Sequence, residues 1–317
     1  QQQVHVRADP LLGAALDLDH WIGAMTAAQR IAKVIRNVLL EDVLYSRHER
    51  VAVALSGGVD SCSILAAMLA AKMRPIIVSY TPSTHQSTDF KMAKSCAEAH
   101  DLEFHPAVFP MTAGQLEACA REVIKLGYWH KVQIECLVPL IAIHTTAHQF
   151  GASTIFTGDQ ADGYFALSKW ASHNADRAAG VPRGERTNVQ QDTTPERIDH
   201  LRQRYWDLDK SCSQGVQALG RKWGLEVVVP YRNPRIHRAF LGTLWSEVNR
   251  PRAKEPIRLA FEEELKTIPT RKLPVNLHKG DSEFAATMGK MLMAQPHLQG
   301  PWKTPTGLYA AMARGDV

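Results

Sequence analysis

The chain has 317 residues, 45% of them hydrophobic and 22% charged, with a net charge of +5. That length carries one large domain or two small ones with a substantial core, and the composition excludes a disordered or fibrous protein. The positive excess suits a protein that handles anions but is too small and scattered to demand nucleic acid, and no apolar run approaches the roughly 20 residues that span a bilayer.

Residues 1–25 read as an N-terminal arm. Their polar start, Gln1–Pro10, has no signal-peptide pattern, and the five cysteines are dispersed without a CxxC pair, so a reducing cytoplasm is expected. From Thr26, a plausible N-cap, to Leu44 the spacing of Ile31, Val34, Ile35, Val38 and Leu39 predicts a helix. Short apolar runs then alternate with helical stretches. Strands are expected at Val51–Leu55, Pro75–Tyr80, Glu103–Phe109, Ser153–Thr157 and Glu226–Val229, and helices at Cys62–Lys72, Asp89–His100 and Leu137–Phe150. A polar insertion, 168–210, carries Arg177, Arg183, Arg186, Arg197, Arg202 and Arg204. Its first half reads as a loop and Pro195–Leu208 as a helix. Beyond Leu244 the chain is helical again, with an irregular stretch at Leu273–Asp281. The pattern predicts an α/β fold, a doubly wound parallel five-stranded sheet over 26–245, with a helical C-terminal extension over 246–317. Such a sheet binds ligands at the carboxyl ends of its strands.

The strongest local signal is Ser56-Gly57-Gly58-Val59-Asp60-Ser61, directly after the first strand and directly before a helix. Two glycines let the backbone approach a ligand closely. Free amides at the helix start, aided by its dipole, point at an anion, and Ser56 and Ser61 add hydroxyls. A carboxylate inside an anion site calls for an intervening cation, so Asp60 points to Mg2+. A glycine pair alone would read as an ordinary turn. No GxxxxGK[ST] occurs, which excludes a Walker loop.

This string resembles the SGGxDS signature of the PP-loop ATP pyrophosphatases, whose nucleotide-binding domain is HUP-like. Three further segments, in family order, resemble the asparagine synthetase and β-lactam synthetase branch. Thr157-Gly158-Asp159-Gln160-Ala161-Asp162-Gly163-Tyr164-Phe165 is similar to SGEGADELF, Val229-Pro230-Tyr231-Arg232-Asn233-Pro234-Arg235 to VPFLDHR, and Lys254-Glu255-Pro256-Ile257-Arg258 to a K-x-x-x-R spacing. Lys279, in Leu277–Asp281, stands where these synthetases carry a lysine near the end of the domain. Three positions depart from the pattern: Asp159 stands for Glu or Tyr, Gln160 for a glycine, and Asn233 for an aspartate.

The resemblance implies ATP and Mg2+ as cofactors, with Asp60 and Asp162 as the metal aspartates. Ser56, Gly57, Gly58, Asp60, Ser61 and Gly158 would hold the phosphates. Adenine recognition is expected from backbone at Ala54 and Leu55 and at Val78 and Tyr80. Arg235, Lys254 and Arg258 would orient phosphates or a carboxylate, each having a structural ion pair as its plainer reading. Lys279 would stabilise the charged transition states, and Asp159 would serve as general base towards the attacking amine or as an acceptor that orients it. The implied reaction adenylates a small-molecule carboxylate, releases pyrophosphate and transfers the acyl group to ammonia or an amine. Common asparagine synthetases open with a glutaminase domain, whereas about 25 residues precede the Thr26 helix here. The amine donor is therefore expected to be free ammonia or another amine, unless a separate subunit supplies ammonia. A homo-oligomer is expected.

Two rival functions remain at this level: a PP-loop enzyme that modifies a nucleic-acid base or a carboxylate attached to one, and a non-catalytic ATP-binding module. His144 and His148 share one helix face, but without an HExxH partner they read as ordinary helix-surface histidines. Cys119 reads as a buried structural thiol, and Trp170, Tyr205, Trp206 and Trp245 as packing groups.

Overall fold

The computed structural model describes residues 25–165, 194–209, 212–269 and 282–317. The first helix, α1 (Ala27–Tyr45), starts where Thr26 predicts: its hydroxyl and the Gln29 side chain form a reciprocal capping box. Strand β1 (Val51–Ala54) follows, then α2 (Val59–Ala70), β2 (Ile76–Pro82), α3 (Thr88–Ala99) and β3 (Phe104–Phe109). Helix α2 begins at Val59 and not at Cys62, so Asp60 and Ser61 belong to its first turn, with Gly58 as N-cap. The stretch between β3 and the next strand, only its second half read as helical, holds α4 (Ala113–Lys125) and α5 (Lys131–Gln149). Helix α5 runs through Pro139. One missing backbone bond there is offset by burial of Ile134, Leu137, Val138 and Ile141 around it.

Strand β4 (Thr154–Phe156) and the short α6 (Ala161–Phe165) come next, then α7 (Pro195–Asp207), α8 (Ser213–Lys222) and β5 (Glu226–Val228). A 3-10 turn at Pro230–Arg232 leads into α9 (Pro234–Phe240), α10 (Trp245–Asn249), α11 (Glu255–Ala260) and α12 (Glu264–Thr267). Helices α13 (Ser282–Met293) and α14 (Pro305–Arg314) close the chain. Most of the polar insertion and all of Leu273–Asp281, including Lys279, lie outside the described residues, as do residues 1–24.

The five strands are all parallel, in the order β3-β2-β1-β4-β5. Side chains alternate across a strand, and the two cores divide accordingly. Val51, Val53, Ile77 and Phe156 face α1, α2 and α9–α11, whereas Ala52, Ile76, Val78 and Ile155 face α4, α5, α8, α13 and α14. Burial on both faces explains why β1 reads as the unbroken apolar run Val-Ala-Val-Ala. Residues after 245 divide between the two faces: α10 and α11 pack with α1, while α13 and α14 pack with α4 and α5. Strand order reverses at β1, whose neighbours are β2 and β4. The crevice outside the carboxyl ends of β1 and β4 is thus the topological switch point, where such sheets take ligands.

Candidate active site

Each side of that switch point carries one of the two signature segments. Gly57 adopts φ +71°, and a Cβ there would stand 2.3 Å from Met92, so only glycine fits the bend. Ser61 Oγ accepts from the Ser56 amide at 3.2 Å, lies 3.1 Å from Ser56 Oγ and donates to the Gly58 carbonyl at 3.2 Å. These bonds fold the loop over the start of α2, whose N-cap Gly58 supplies no side-chain cap. The first-turn amides of α2 are therefore available to an anion.

On the other side, Thr157 Oγ1 donates to Asp159 Oδ2 at 2.6 Å, and Gln160 takes the left-handed conformation (φ +75°) that turns the chain into α6. The two loops touch at Gly158. A Cβ on it would lie 2.9 Å from the Ser61 amide nitrogen and 3.1 Å from the Asp60 carbonyl carbon. Gly158 thus has a packing reason as well as the phosphate-binding one expected of it.

Lys254 joins the two aspartates. Its Nζ is bonded to Asp60 Oδ2 and lies 2.5 Å from Asp162 Oδ1. Asp162 is 44% exposed and Asp60 19%, so the pair opens outward on the Asp162 side. Burial pushes the Asp60 carboxyl up to about 6 despite Lys254. Burial alone would lower the Lys254 ammonium, but Asp162 and Asp60 outweigh it and hold it above its ordinary value. Asp60 Oδ1 is buried with no hydrogen-bond partner, an orphan oxygen beside a second carboxylate that shares its cation. That donor set fits a divalent cation. No cluster of three or more His, Cys, Asp or Glu suited to a metal occurs among the described residues, so the set is two carboxylates, the kind that Mg2+ completes with substrate phosphates and water.

Asp159 is likewise pushed up to about 6 by burial, with Asp162, Asp209 and Asp60 adding to the effect and the Thr157 bond opposing it. Two groups that the motifs did not flag lie within electrostatic reach of the same aspartates. Cys136 on α5 is exposed, yet its thiol is pushed up to about 12 by surrounding protein and then by Asp159. Tyr205 on α7 packs its ring against Gly163 and is raised by burial and by Asp162. Neither has a sequence neighbour in the signature segments, so only the fold brings them there.

The remaining expected residues divide. Arg258 Nε donates to the Ala253 carbonyl at 3.0 Å, bracing the turn that carries Lys254. Arg235 instead pairs with Glu41 on α1 at the surface. Asn233, the departure from an aspartate, caps α9 by accepting from the Arg235 amide at 2.9 Å, a role Asn and Asp fill equally. The Leu55 amide donates to the Val78 carbonyl at 3.0 Å, so that donor is engaged within the sheet and not offered to a base. Tyr80 meets Phe284 edge-on at 5.3 Å. His144 is fully buried, not a helix-surface residue, and burial lowers it to about 4, so it is a neutral core group. Cys119 is a buried thiol as expected, and Trp206 packs on His237 at 4.7 Å.

Compared with known proteins, residues 42–268 match the family model described as asparagine synthase. Among solved structures, the chain is similar to the U34-tRNA thiolase NcsA from Methanococcus maripaludis with its [4Fe-4S] cluster, at 14% identity and TM-score 0.41, over 90% of this chain and 76% of that one. It is also similar to the NMN synthetase from Francisella tularensis, at 14% identity and TM-score 0.33, over 78% and 98% of the two chains. Comparison with curated protein sequences gives no significant match.

Proposed function

We propose that this chain, which belongs to the asparagine synthase family and is an ATP-using enzyme of the PP-loop type, adenylates a small-molecule carboxylate and passes the acyl group to ammonia or an amine. The observation that carries this reading is the Lys254 ammonium seated between Asp60 and Asp162 beside the uncapped start of α2. Cation, paired carboxylates and free amides there converge on one point at the switch of the sheet.

The roles follow from that geometry. The first-turn amides of α2 and the hydroxyls of Ser56 and Ser61 receive the pyrophosphate portion of ATP. Asp60 and Asp162 would hold Mg2+, which when bound would offset phosphate charge. Lys254, already charged and held at the site, can turn from the carboxylates to the phosphate oxygens without a change of protonation. Asp159, ionised above pH of about 6, accepts the proton the amine must lose. Lys279 carries the transition-state role by family resemblance alone. The acceptor and amine are small molecules in this reading.

Pyrophosphate exchange into ATP across a panel of carboxylates tests the proposal. It expects carboxylate-dependent exchange, and AMP with pyrophosphate when an amine is added. Formation of ADP and phosphate, or no heat on titration with Mg-ATP, would overturn it.

A further inference from the structure

Lys254 reaches the two aspartates from an unfavourable backbone. Its φ is +59°, in the left-handed region that a residue with a long side chain rarely occupies. Something must hold it there, and the structure shows what. The Lys254 amide donates to Asn249 Oδ1 at 3.2 Å, and Asn249 Nδ2 donates to the Phe165 carbonyl at 3.0 Å and the Trp245 carbonyl at 3.2 Å. These partners fix the orientation of the amide, since two carbonyls face its nitrogen and one N–H faces its oxygen. Asn249 is 2% exposed, so each of these bonds is made away from water, where losing one costs most.

The bonds connect the right things. Phe165 ends α6, and Asp162 lies in the first turn of that helix. The same Phe165 presents its ring to the Lys254 ammonium, with Nζ 6.0 Å from the centroid. One side chain thus fastens the helix that carries Asp162 to the backbone that carries Lys254.

We infer that Asn249 is a positioning residue for ATP use: it sets Lys254 in register with Asp162 and Asp60, and acts on the nucleotide only through Lys254. This rests on the proposed function for its link to ATP, but the registration of Lys254 is a property of the protein alone. A purely structural role, a buried amide tying three segments together, would lower stability without singling out Lys254.

A double-mutant cycle separates the two. Asn249→Leu removes all three bonds at similar volume, Lys254→Met removes the ammonium, and the pair is made together. Should N249L fail to fold, Asn249→Asp takes its place, since it keeps an acceptor for the Lys254 amide and loses both donors. Binding of Mg-ATP by calorimetry is expected to weaken about tenfold in N249L, the scale of one charge-assisted hydrogen bond. In the K254M background the same change should weaken it less than about twofold. In pyrophosphate exchange the loss should fall on KM for ATP more than on kcat. An equal factor in both backgrounds would overturn the inference, as would an unchanged N249L.

Thermal unfolding of the same four nucleotide-free proteins provides an arm that needs no ATP. N249L should cost fewer degrees in K254M than in wild type, because the ammonium it misplaces is then absent. Equal costs would refute the registration of Lys254. Failure of wild type to bind ATP would instead sink the proposed function, and the thermal cycle would still decide the role of Asn249.

Discussion

Gly158 and Ser61 are in backbone contact: a Cβ on Gly158 would lie 2.9 Å from the Ser61 amide nitrogen. The atoms it would meet include the Asp60 carbonyl carbon at 3.1 Å, and backbone at a helix start cannot swing aside as a side chain can. Gly158→Ala therefore has to push the β4 loop off the β1 loop. Overpacking of this kind costs about 1–3 kcal/mol, and it parts Asp162 from Asp60. We expect denaturant unfolding to show that loss and calorimetry to show weaker Mg-ATP binding. A G158A protein with unaltered stability would mean that the two loops are not held together as described.

Asp60 illustrates a conflict between stability and use. Burial raises its folded pKa to about 6, above the ordinary aspartate value of 3.8. The folded state then holds more protons than the unfolded state between those values, so stability falls as pH rises through that window and the penalty is complete above about 6. Asp60→Asn is neutral throughout and removes the penalty. The variant should melt a few degrees higher than wild type at pH 8, and the gain should shrink as pH is lowered from 6 towards 4. The same variant should form no AMP or pyrophosphate. A melting point lowered at pH 8 would contradict the electrostatic account of this site.

Lys254 occupies, between Asp60 and Asp162, the place where a divalent cation would meet both carboxylates. A metal ion entering without nucleotide has to displace an ammonium that those carboxylates hold firmly charged. Once phosphates are present, Lys254 has a second set of anions to pair with and the cost falls. Wild-type protein should accordingly bind Mn2+ weakly when no nucleotide is present. Lys254→Met should bind it at least about tenfold more tightly, since even one opposite charge released is worth more than 1.4 kcal/mol in a partly buried site, while binding ATP less well. Electron paramagnetic resonance of free Mn2+ measures the metal affinity of each protein, and calorimetry measures the ATP affinity. Equal Mn2+ affinity in the two proteins would exclude competition between lysine and metal.

What could be read in advance follows physical range. The loop between β1 and α2 was legible because its geometry is local: strand, glycine bend, serines and helix start are contiguous from Val51 to Ala70. The sheet was legible because burial on both faces writes an apolar run into each central strand. Asn249 was not legible, since its meaning lies in Phe165 and Lys254, residues that only the fold brings to it. Arg202 was hidden by its company. It sits among the arginines of a polar stretch, yet it is fully buried and bonded to the carbonyls of Tyr164, Phe240 and Thr243. Arg235 shows the same limit, because its place in the VPFLDHR-like segment does not reveal that Glu41 lies opposite it.

Asp159 separates the two halves of the proposed reaction. It stands at the end of β4 with Thr157 bonded to one oxygen, and burial raises its pKa to about 6. It is thus ionised and able to accept a proton above that value, and is neutral and unable below it. Adenylation needs no such acceptor, because the carboxylate substrate attacks as an anion. Asp159→Asn should therefore keep pyrophosphate exchange within about tenfold of wild type and lose amide formation by at least about a hundredfold, the usual range for a general base. In wild type, kcat/KM expressed on the neutral amine should rise with pH through about 6 and then level. The exchange reaction should have its acidic limb lower, since a bound cation favours the ionised form of Asp60. Asp159→Glu, the residue that asparagine synthetases carry in the similar segment, should restore part of the amide step. Loss of exchange and amide formation by the same factor in D159N would assign Asp159 to nucleotide binding and leave the proton acceptor elsewhere.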